Sequence, residues 1–192
     1  MRYKPKHKEE THQRIVDAAS KEFRAHGFEG VGIAKLMRAL GLTHGGFYAH
    51  FADKEDLVDE ALAFAMDQSL ENMLSALKAG GYPAMFEYYL SEMHRDHPAF
   101  GCPLPALAAE VSRRPPSSRG AFTKKLVEIQ NDLAERIPGK TPERRLEKAS
   151  VVLASMAGAV SLARAVSDPV LSQSILRSTQ EHLLRLIEAA DD

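Results

Sequence analysis

The sequence predicts an all-α, nine-helix chain: an N-terminal three-helix head whose second and third helices have the lengths of a helix-turn-helix, then a C-terminal helical bundle. Three observations carry this. Apolar residues recur at helical spacing throughout, and no stretch alternates as a half-buried strand would. Clusters of glycine and proline cut the chain into helix-sized pieces. Charge is unevenly shared: residues 1–54 hold ten Lys/Arg against six Asp/Glu, whereas residues 55–192 hold fifteen against twenty.

The first helix is expected over about residues 8–26, where Ile15, Val16, Ala19 and Phe23 share a face and Gly27 ends it. Ile33, Leu36, Met37 and Leu40 define a short second helix, and Gly41-Leu42 a tight turn. Thr43 is a good N-cap for a third helix over residues 43–51. Asp53, with Asp56 three positions on, is an acidic variant of the capping box and opens a helix to about residue 78. Gly80-Gly81 breaks it, and helix resumes over 82–93. Pro103 and Pro105 open a sixth helix that Pro115-Pro116 ends, and a seventh covers 122–137. The last two are long, about 142–166 and 169–189, the latter with Asp168 as cap and Pro169 in the first helical position.

The third helix, in "THGGFYAHF", is odd: Gly45 and Gly46 each cost a helix interior about 1 kcal/mol against alanine, yet Phe47, Tyr48 and Phe51 follow at once. On a wheel of 100° per residue, Phe47 and Phe51 form one face. Ala49 lies opposite between the glycines, and Tyr48 and His50 edge it. A face stripped of bulk and rimmed by hydrogen-bonding side chains fits a helix pushed into a DNA major groove, its rims on the phosphate walls. The basic head, which also holds five of the eight histidines, agrees with a polyanion partner.

The block "GVGIAKLMRALGLTHGGFYAHFADKEDL", with "RIVDAASKEFRAHGFEGV" before it, resembles the DNA-binding signature of the TetR family of bacterial transcriptional regulators. It departs from the family pattern at Gly32, where a Thr or Ser usually caps the second helix, and at Gly46, where a longer polar residue is common. The resemblance implies that Tyr48, His50 and Lys54 contact phosphates. Thr43 would cap the recognition helix, while His44 and the Gly45-Gly46 backbone would face bases. Lys4, Lys6 and Lys8 offer a basic arm. The implied domains are residues 1–53 for DNA and 54–192 for effector and dimerisation.

The resemblance further implies a homodimer on a palindromic double-stranded operator, a small-molecule effector of unknown identity, no cofactor and no metal. The last two helices are more apolar than one buried stripe needs, which makes Met156, Gly158, Val160, Leu183, Leu184 and Ile187 the expected dimer interface. Candidate effector-pocket residues are Phe64, Met73, Phe86, Tyr89, Met93, Cys102, Phe122, Leu126 and Met156. "HRDH", His94–His97, offers two imidazoles and a carboxylate, but His97 precedes Pro98.

The chain's 44% hydrophobic and 27% charged residues are those of a folded domain. A single cysteine excludes an intrachain disulfide and fits the cytoplasm. No apolar run approaches the ~18 residues that span a bilayer, so no membrane partner is expected. The resulting expectation is a repressor released by its effector and not an enzyme, since no Gly-rich phosphate loop, nucleophile–base pair or metal spacing occurs. Alternatives are a redox or electrophile switch at Cys102, a ligand-free architectural DNA-binding protein, or a small helical enzyme.

Overall fold

The computed structural model describes residues 5–189, with side chains from His7 onward. Among these residues there are nine α-helices: α1 (Pro5–His26), α2 (Ile33–Ala39), α3 (His44–Phe47), α4 (Lys54–Tyr89), α5 (Glu92–Asp96), α6 (Leu104–Val111), α7 (Pro116–Ala134), α8 (Pro142–Ala165) and α9 (Pro169–Glu188). A 3₁₀ turn, Pro98–Phe100, precedes α6.

Local chemistry accounts for most boundaries. The Asp53 carboxylate accepts from the Asp56 amide at 2.9 Å, and the Asp56 carboxylate accepts from the Ala52 amide at 3.0 Å, so the acidic capping box forms. Asp168 accepts from the amides of Val170 and Leu171 ahead of α9. Gly80 and Gly81 leave helical geometry within α4, Gly81 with φ of 70°, before helix resumes. That second stretch ends at Tyr89 rather than residue 93, because the Ser91 hydroxyl accepts from the His94 amide at 3.1 Å and starts α5. The second proline of Pro115-Pro116 opens α7 six residues earlier than expected, as suits a first-turn position that needs no amide donor.

The chain divides into two compact units. One holds the residues up to Asp67 together with Pro98–Phe122, and the other holds Gln68–His97 and the chain from Thr123 on. The cut expected between residues 53 and 54 is therefore not where contacts divide, because hydrogen bonds tie the distant segment to the head. Arg24 donates to the Gly101 carbonyl at 2.7 Å, and the Phe28 amide donates to Glu110 at 2.8 Å.

The first unit is built around Ile15, Phe23, Phe28, Met37, Phe47, Phe51, Leu57 and Leu107. In the second, Met85, Phe86, Leu133, Met156, Val160 and Leu183 are fully buried. There α8 pairs with α9, and Ser172 donates to the Ala163 carbonyl at 2.7 Å. The Arg164 guanidinium closes α5 by donating to the carbonyls of His94 and Arg95. By length and composition α8 is apolar enough to cross a membrane, contrary to the expectation that no such segment exists. Its buried positions, Val152, Met156, Ala159, Val160 and Ala163, make it the central helix of this unit's core. That role demands the same composition.

Candidate nucleic-acid interface

The α2–α3 turn is held by backbone bonds, with Arg14 also donating to the Leu40 carbonyl at 3.4 Å. The amides of Gly41 and Leu42 donate to the carbonyls of Arg38 and Met37, at 3.0 and 2.9 Å, which closes the end of α2. Gly41 sits at φ of 73°, left-handed backbone where a side chain would be strained. The start of α2 is looser, since Gly32 supplies no side-chain cap. Thr43 does cap α3, its hydroxyl accepting from the Gly46 amide at 3.2 Å.

The α3 helix is shorter than its expected nine residues. Regular helix covers His44–Phe47, and the chain then tightens: Ala49 and His50 donate to carbonyls three residues back, Phe51 to one four back. Two glycines supply little helix propensity, so packing must hold the last turn. Phe47 and Phe51 stack with centroids 5.3 Å apart, both fully buried. The opposite face is open, with His44, Gly45 and Ala49 exposed and Tyr48 at 59% exposure.

The two glycines differ in kind. A Cβ on Gly46 would lie 3.3 Å from the Thr43 hydroxyl, so this glycine makes room for the cap. A Cβ on Gly45 would meet nothing within 4 Å. Nothing inside the unit requires glycine there, and its propensity cost is left without an internal return.

His50 is half-buried at the rim, with its Nδ1 buried and lacking a hydrogen-bond partner among the described residues. Burial, and then the neighbouring His12 and Lys8, lower its pKa below the ordinary 6.5. His12, absent from the sequence-derived site, stacks on Phe51 at 4.5 Å and hydrogen-bonds Glu60 at 2.7 Å. Lys54 stands at the first position of α4, with Nζ 4.0 Å from Glu29. Of the proposed basic arm, Lys8 is exposed, while Lys4 and the Lys6 side chain lie outside the described residues.

The effector candidates do not gather in one unit. Phe64, Cys102 and Phe122 belong to the first, and Met73, Phe86, Tyr89, Met93, Leu126 and Met156 to the second. Met73, Phe86, Tyr89 and Met156 are core residues. Met93 is 68% exposed on the five-residue α5, so it is not an internal wall. Cys102 is buried, which withholds its thiol from solvent oxidants.

The dimer candidates also need correction. Met156, Val160, Leu183 and Ile187 are buried within a single chain, and Leu184 is half-buried. The side of α8 left outside is a stripe of Val151, Ala154, Gly158 and Leu162, with Leu162 at 59% exposure. Periodicity could not distinguish the two sides of a helix that is apolar all round.

A head of three helices with a capped, low-bulk third helix defines a helix-turn-helix DNA-binding domain. Residues 15–61 match the family profile described as bacterial regulatory proteins, tetR family. The regulator LmrA of Bacillus subtilis is 26% identical over 172 residues, covering 84% of this chain and 92% of that protein. The regulator AcrR of Shigella flexneri is 38% identical over 52 residues, which span 27% of this chain and only 24% of that protein. A TetR-family transcriptional regulator from Cytophaga hutchinsonii shares the fold, with a TM-score of 0.77 at 20% identity over 98% of this chain and all of that one. Residues 15–61 thus carry the tetR-family block, and the chain as a whole is similar to TetR-family regulators in sequence and fold.

Proposed function

We propose that the protein is a cytoplasmic transcriptional repressor that binds a palindromic operator as a homodimer and is released by a small-molecule effector. The observation that carries DNA binding is the open face of α3, where Gly45 lacks any internal reason to be glycine. A side-chain-free backbone at that point lets α3 approach base edges closely, and the burial of Phe47 and Phe51 supports it from behind. In this reading His44 and the Gly45-Gly46 backbone face bases. Tyr48, His50 and Lys54 engage phosphates, Lys54 beside the free amides that open α4. Thr43 caps α3 and reaches the backbone, and Lys8 adds charge along the duplex.

Dimerisation would use the outward stripe of α8 with the neighbouring face of α9. Gly158 supports this, because a Cβ there would meet nothing within 4 Å and its absence permits close helix approach. Two heads one helical turn apart, about 34 Å, match the symmetry of a palindrome. The effector would act by favouring a body conformation in which the heads leave that spacing.

Selection of bound DNA from a random pool tests the reading directly. The recovered sequences should share an inverted repeat, and binding to it should weaken steeply with salt as phosphate contacts release counterions. Recovery of unrelated sequences with no repeat would reject it in favour of an architectural role.

A further inference from the structure

The segment Pro98–Phe122 lies far from the helix-turn-helix in sequence yet belongs to the same unit, and one of its side chains reaches the DNA-facing end of α4. Arg114, at the α6–α7 junction, is only 12% exposed and lies over the Phe28 ring, 5.3 Å from its centroid. From there its guanidinium pairs with Glu29 at 3.3 Å and with Glu55. Glu29 is also the acid that lies 4.0 Å from Lys54, and Glu55 is the residue next to Lys54. Arg114 is thus bound both to the carboxylate beside the Lys54 ammonium and to that of the residue following Lys54.

We propose that Arg114 is a positioning residue of the DNA interface: it neutralises Glu29 and Glu55 so that the Lys54 ammonium faces a phosphate rather than a protein carboxylate. The inference rests on Lys54 being a phosphate contact, as proposed above. The electrostatics are simple. Without Arg114 the two acids lose their guanidinium partner, and the Lys54 ammonium, already 4.0 Å from Glu29, pairs with a carboxylate instead of a phosphate. That competition acts over a few ångströms, inside the screening length of about 8 Å at physiological salt. The Phe28 ring holds the guanidinium, so Arg114 need not be ordered anew when DNA arrives.

The test is a double-mutant cycle on the selected palindrome, using the full chain with Lys54→Gln, Arg114→Gln, both together, Glu29→Gln alone, and Arg114→Gln with Glu29→Gln. Arg114→Gln should weaken binding about threefold per head, the usual size of one exposed ion-pair contribution, and so about tenfold for the dimer. In the Lys54→Gln background the same change should have little effect. Glu29→Gln should restore most of what Arg114→Gln loses, and Glu29→Gln alone should tighten binding, which holds as a test even if Arg114→Gln fails to fold. A purely structural role for Arg114 predicts equal losses with and without Lys54 and no rescue by Glu29→Gln, and that result overturns the proposal. Wild type that binds no palindrome removes the DNA reading itself, whereas wild-type affinity in Lys54→Gln removes only the role of Lys54 and with it that of Arg114.

Discussion

The backbone amide of Phe28 donates a 2.8 Å hydrogen bond to the carboxylate of Glu110, 82 positions later in the chain. Beside it, Gly27 adopts φ of 73°, and a Cβ there would stand 2.4 Å from the same carboxylate. The end of α1 and the last turn of α6 are thus fitted to each other at a left-handed position that favours glycine. Glu110→Ala should destabilise the protein by about 1–3 kcal/mol through loss of a charge-assisted bond. Gly27→Ala should cost about 1–3 kcal/mol from backbone strain and the clash. Combined, they should cost less than the sum, because removing the carboxylate relieves the clash. Thermal or denaturant unfolding measures all three.

Gly45 allows stability and function to be separated. Since its Cβ would meet nothing, Gly45→Ala should leave the free protein as stable or better by up to about 1 kcal/mol. The same methyl should weaken operator binding by about tenfold or more, equivalent to about 1.4 kcal/mol, and Gly45→Val should abolish it. Normal operator affinity in Gly45→Val would show that α3 does not approach DNA closely.

His50, a phosphate contact in the proposed reading, should make binding depend on pH. Burial, His12 and Lys8 lower its pKa, so the free protein holds a neutral imidazole near neutrality. A phosphate favours the charged form, and binding should take up protons. Operator affinity should rise as pH falls from 7 toward 5.5, with a slope of at most about two decades per pH unit for two heads. His50→Gln should flatten the profile. Stability moves the other way. The unfolded chain protonates His50 at its ordinary pKa while the folded chain resists, so stability present above pH 6.5 is lost as pH falls through the lowered folded value.

The proposed dimer seam on the outward stripe of α8 allows assembly to be tested apart from folding. Leu162→Glu should keep helical content and unfolding behaviour but give monomers in ultracentrifugation, with palindrome binding lost. Leu183→Glu should instead unfold the protein, by more than about 3 kcal/mol, since its side chain is in the core of one chain. Dimers that persist in Leu162→Glu would move the interface elsewhere.

What the sequence determined by itself is local. The Thr43 cap, the Asp53–Asp56 box, the left-handed Gly41 and the Phe47–Phe51 face of α3 all join residues within five positions of one another. At that range helical geometry alone dictates which groups meet. The family resemblance is carried by the same short block. The tertiary structure decided what spacing leaves open. Glu29, Glu55 and Arg114 meet through chain reversals no periodicity records, and His12 reaches the recognition helix from α1. It also decided which side of α8 is core, burying Met156 and Val160 while leaving Leu162 outside. Where a helix is apolar on every side, hydrophobic pattern carries no direction, and only packing against neighbours such as α9 and α5 selects the face that turns inward.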